Sequence, residues 1–144
     1  MSAMIFFFLG LALGTAAVWL FARQAPKGRL ILVGIVIDGL TFIPFYFCRT
    51  LGQVQLALFA HALAIPLIII PRTVLMQQAV PGRLHGRLFA LMNVTVFGMT
   101  GVSAGLTGVI IERIAPGTLF LIVGVLGAIP GLLGFRVRSL RTAR

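Results

Sequence analysis

Acidic side chains are nearly missing from this chain. Asp38 and Glu112 are its 2 carboxylates, set against 12 Lys and Arg, and only 10% of residues carry a charge. Two carboxylates and two histidines, His61 and His85, with no nucleophile spaced to meet a base, give no catalytic constellation. The chain therefore reads as a non-enzyme with no metal and no cofactor. The single cysteine, Cys48, excludes an intramolecular disulfide and leaves no Cys-based metal site. No phosphate-cradling loop follows a strand either, because the glycines lie within apolar stretches.

Apolar side chains fill the space that charge leaves. They make up 60% of the 144 residues, more than one soluble core of that length can hide, whereas a bilayer solvates them directly. With roughly 20 mostly apolar residues needed per helical span, five candidates follow in succession, at about 3–22, 30–48, 51–80, 88–111 and 117–135. They consume nearly the whole chain, leaving no soluble domain or low-complexity segment. The expected fold is an all-α integral membrane domain, with residues 136–144 as a basic tail. No basic flank precedes Met4, so the first span reads as a retained helix rather than a cleaved signal.

The basic excess invites a nucleic-acid reading, and "PGRLHGR", residues 81–87, drops Arg83, His85 and Arg87 into an otherwise apolar stretch. That reading fails, because the cations are scattered over short connectors and share no aromatic platform. Alternating spans instead put ten of the 12 on one side: Arg23, Lys27, Arg29, Arg72, Arg83, Arg87, Arg136, Arg138, Arg141 and Arg144. Arg49 and Arg113 fall on the other. Lys and Arg in short loops resist translocation, so the N-terminus is expected outside and the C-terminus in the cytoplasm of a multi-pass cell-membrane protein. With no cytoplasmic charge ahead of it, an N-out first helix also suggests further sequence upstream.

Small residues mark expected packing faces. Gly98, Gly101, Gly105 and Gly108 lie on one face of the fourth span, and Gly124, Gly127, Gly131 and Gly134 repeat the rhythm in the fifth. Gly10 and Gly14 do the same in the first. Pro44, Pro66, Pro71 and Pro130 each remove a backbone donor and are expected to bend their helices.

Ionisable groups at membrane depth are the sharpest functional signal. Asp38 lies about 13 Å in from Arg29, and His61 about as far in from Gly52 on the opposite side, at ~1.5 Å per residue. Such groups face a bundle interior or a wet cavity and mark transport paths. Together they are candidates to carry or couple a proton. Desolvation favours their neutral forms and mutual attraction their charged ones. Arg72, roughly 30 Å along the third span, stands near the inner boundary as a candidate for the substrate path, and Asn93 is a further one.

Residues 65–124 carry a family likeness on two features. One is the connector with Pro81, Gly86 and Arg87 before an apolar helix. The other is a small-residue helix that ends in Glu112 and Arg113, with a short turn through Pro116. This stretch resembles the closing helices of a major facilitator superfamily transporter, most similar to drug and siderophore exporters. On that likeness the five spans correspond to helices eight to twelve of a twelve-helix bundle, in the same orientation that the charges give. "FARQAPKGR" occupies the place of the family's basic loop between helices eight and nine; Arg23 and Gln24 stand near the position of its acid, and Pro26 near that of its glycine.

The resemblance implies secondary active efflux of a small molecule by a C-terminal portion whose first half is missing. Such a portion needs a partner or self-association, because the family's substrate path runs between two halves. The alternative is a small multi-pass protein that serves as an interaction or assembly subunit without transport.

Overall fold

The computed structural model describes residues 2 to 21 and 25 to 143, with Phe21 described by its backbone alone. Arg23, Gln24 and Arg144, used in the charge and loop readings, lie outside the described residues. The elements are α1 (Ser2–Phe21), α2 (Lys27–Phe42) continued by a 3-10 turn (Ile43–Tyr46), α3 (Leu51–Ala79), a second 3-10 turn (Gly82–Leu84), α4 (His85–Ile111), α5 (Pro116–Gly134) and the short α6 (Arg138–Thr142). Among the described residues there is no strand. Five helices among the described residues are long and apolar enough to cross a membrane. The 20 residues of α1 extend about 30 Å, the thickness of a hydrocarbon core.

Local chemistry explains where the helices begin and end. Pro44 has no N–H to continue the α2 ladder, and the chain tightens there into the Ile43–Tyr46 turn. Thr50 and Gln53 then form a reciprocal capping box: Gln53 N donates to Thr50 Oγ1 at 3.4 Å, and Thr50 N donates to Gln53 Oε1 at 3.2 Å. Pro66 and Pro71 both lie inside α3, which stays one helix from Leu51 to Ala79, and both are buried. At the far end of α3, His85 Nε2 lies 2.8 Å from the Val80 carbonyl and 3.2 Å from that of Gln77, tying the start of α4 to carbonyls that the helix end leaves free.

Four of the long helices pack side by side in the order α1, α3, α2, α5. Glycine sets the spacing at both outer seams. A Cβ on Gly14 would lie 2.6 Å from the Leu63 carbonyl oxygen, and one on Gly39 would lie 2.5 Å from the Ala128 nitrogen. The buried apolar residues are accordingly small: Ala57, Ala62, Ala64 and Ala128, with Val18 and Leu32 the largest. Large apolar side chains point outward instead, which suits a solvent of lipid tails rather than water.

Contacts at both ends show that α1, α3 and α5 run in one direction and α2 in the other. Gln55 Nε2 donates to Ser2 Oγ at 2.6 Å, joining the starts of α1 and α3, and Gly117 at the start of α5 sits against Tyr46 at the end of α2. The other end gathers Val18, Lys27 and Val74 around one cleft. Lys27, Arg29, Arg136, Arg138 and Arg141 belong to that end; Arg49 belongs to the Tyr46 end.

α4 departs from expectation. It makes no extensive contact with another long helix, and a Cβ at Gly98, Gly101, Gly105 or Gly108 would meet nothing within 4 Å. Within this chain these four glycines are not a packing face, in contrast to Gly124 and Gly131 in α5, whose Cβ positions fall 2.8 Å from the Gly39 oxygen and 2.7 Å from Val36. Gly134 closes on Leu32, while Gly127 makes only an ordinary contact, at 3.6 Å from Gly39. The difference is one of supply: a small-residue stripe gains dispersion contacts only where a second backbone can approach it. Here α2 approaches α5, and among the described residues no backbone comes within reach of the α4 stripe.

An interhelical Asp–His pair as candidate functional site

Two neighbouring helices build this site. α2 presents Asp38, Thr41 and Phe42 over one turn, and α3 presents His61 opposite them. Small buried residues, Ala57 and Ala64 among them, keep α3 slim, while Ala62, with no exposed surface, lies against Gly10 of α1. Asp38 Oδ1 lies 3.3 Å from His61 Nδ1. Thr41 Oγ1 lies 3.0 Å from the same nitrogen and 2.6 Å from the Asp38 carbonyl oxygen.

These distances assign the protons. Thr41 has a single hydroxyl hydrogen, and the shorter contact, a back-bond to its own helix, takes it. The hydroxyl oxygen then faces Nδ1 as an acceptor, which in a neutral ring puts the hydrogen on Nδ1 and the lone pair on Nε2. Asp38 Oδ1 is shut away from the surface and receives no hydrogen bond. Its 3.3 Å approach to Nδ1 is an electrostatic contact, with Thr41 as the hydrogen-bond acceptor. A proton arriving at Nε2 makes the ring cationic directly beside that oxygen. Charge gained on one partner is therefore felt at once by the other.

Aromatic rings close one side. The Phe42 and His61 ring centres are 4.6 Å apart, and Phe120 of α5 stacks on Phe45 at 5.0 Å. A cationic His61 gains attraction from the ring face beside it. An open, mostly apolar cleft of about 500 Å³ runs from Phe47 and Gln53 to Ala60, the residue before His61. Among the described residues, neither α1 from Ser2 to Phe21 nor α5 from Pro116 to Gly134 brings another ionisable group to the pair.

The remaining candidates lie elsewhere. Arg72 is on the same helix as His61, about 16 Å further along; it is half-buried, and its Nε is enclosed without a hydrogen-bond partner. Asn93 is exposed on α4 and does not join the pair. Pro81, Gly86 and Arg87 are exposed at the link between α3 and α4. Among the described residues no group of three or more His, Cys, Asp or Glu side chains meets at one point. Thr41, Phe42 and Phe120 escaped the sequence reading. The three-residue offset of Thr41 from Asp38, which shares its helix face, was the one available signal.

No family model, no curated protein and no solved structure matches this chain.

Proposed function

We propose that this chain is part of a secondary active transporter of the major facilitator type, exporting a small molecule across the cell membrane with Asp38 and His61 as its proton-coupling pair. The observation that carries this reading is the 3.3 Å contact between two titratable groups on facing helices, in the middle of spans otherwise nearly free of charge. Intramembrane acid–base pairs of this kind are expensive to keep and mark proton or substrate paths. In the proposed cycle Nε2 of His61 accepts the proton, Asp38 balances the resulting charge, and Thr41 holds the ring in register. Discharge of the pair on the opposite side alters the attraction between α2 and α3, and so biases how the two helices sit against each other.

The charge pattern supports an orientation with the N-terminus outside and the C-terminus in the cytoplasm. The uncovered glycine face of α4 supports a missing partner, either the other half of the transporter or a second copy of this chain. The same face favours the second reading, a non-transporting assembly subunit. Transport decides between them. In energised inverted vesicles, Asp38→Asn abolishes proton-driven uptake of the exported compound while the protein inserts in normal amount. Unchanged uphill transport rejects the coupling role, and absence of transport by the native chain with its partner favours the subunit.

A further inference from the structure

Two basic stretches far apart in sequence meet at one end of the bundle. α6 lies across the start of α2, where Gly28 N donates to the Ala143 carbonyl at 3.0 Å. A side chain at position 28 would collide with the Leu140 carbonyl, so glycine is what lets the tail lie this close. Lys27 and Arg29 flank Gly28, and Arg141 follows Leu140, with Arg138 one turn earlier on the same helix. Arg136 leads into that turn. None of these five forms an ion pair among the described residues, where the single bridge is Asp38 with His61. Glu112, the other acid, follows α4 on the connector to α5, whose start lies at the opposite end beside Tyr46.

Next to these cations stand apolar side chains that remain uncovered, Val137 at 46% and Leu140 at 51% exposure. Cations without an acid partner among the described residues, beside apolar groups at the end of a bundle of lipid-length helices, match the boundary where headgroup phosphates meet acyl chains. A freely diffusing phosphate would have no use for Val137 and Leu140. We propose that docking of α6 onto the start of α2 builds a binding site for an anionic phospholipid, its phosphate held by Lys27, Arg29, Arg138 and Arg141 and its glycerol and acyl region resting on Val137 and Leu140. This inference does not depend on the transport reading.

The chain's one tryptophan, Trp19, shares a cleft with Lys27 and serves as the reporter. The test is quenching of Trp19 in the full chain, reconstituted in nanodiscs, by brominated phosphatidylglycerol against brominated phosphatidylcholine. Phosphatidylglycerol is expected to be preferred. Arg138→Gln with Arg141→Gln is expected to weaken that preference on the order of 30-fold, at ~1 kcal/mol per cation near an anionic headgroup. Arg83→Gln with Arg87→Gln, an equal loss of charge at the α3–α4 link, is expected to leave it in place. Gly28→Leu keeps every charge but displaces α6, and is expected to weaken it as well. Equal quenching by the two lipids overturns the proposal. So does a loss that follows total charge wherever the charge is removed, or full retention by both the Arg138/Arg141 pair and Gly28→Leu. Displacement of the lipid by millimolar inorganic phosphate would reassign the cluster to free phosphate and overturn the lipid assignment.

Discussion

A single hydroxyl hydrogen decides which nitrogen of His61 is free. Because Thr41 donates to the Asp38 carbonyl at 2.6 Å, it can only accept from Nδ1. Thr41→Val removes that acceptor while keeping the side-chain shape. The expected outcome is a change in the tautomer balance of His61, read from its ¹⁵N chemical shifts in nanodiscs, with Thr41→Ser restoring the native pattern. A spectrum unchanged by Thr41→Val would show that Asp38 alone orients the ring. Asp38 and His61 were legible in the sequence because charge in an apolar run stands out. Thr41 was not, since a threonine in such a run is ordinary and gains its role only from the atom opposite it.

At the scale of helices, contrasting glycines test the packing. Gly39 is pressed against the α5 backbone, so Gly39→Val must push α2 and α5 apart. An overpacked seam of this kind costs about 1–3 kcal/mol, seen as a lower unfolding temperature in detergent. Gly105→Val meets open space and is expected to leave the unfolding temperature of the isolated chain unchanged. At the start of α3, Thr50→Ala removes the capping hydroxyl and is expected to lower stability by about 1 kcal/mol in the same measurement. The sequence carried both glycine stripes with equal clarity. A stripe records that a helix is able to pack, and the presence of a partner is a separate, non-local matter.

For the whole molecule, four helices pack in a row and one stands apart, an arrangement that leaves α4 to be covered from outside the chain. In a Cys48→Ser background, Gly105→Cys is expected to give a cross-linked product in native membranes, whose mass distinguishes a second copy from a different polypeptide. Recovery of uncross-linked chain alone would show that α4 faces lipid. A reporter fused after Arg144 is expected on the cytoplasmic side, in keeping with the basic residues gathered at that end of the packed helices. A reporter found outside reverses the proposed orientation.

What the residues determined by themselves is additive: hydrophobic length, the number of spans, and the alternation that sorts cations to one end. Each of these sums over neighbours in sequence, so no knowledge of contacts is needed. The tertiary structure alone decided what depends on rotation and approach. It turned Asp38 toward His61, laid α6 on Gly28, and gave the glycines of α5 a neighbour while leaving those of α4 without one. Such choices rest on contacts a few ångströms long between residues distant in sequence, which no local pattern records.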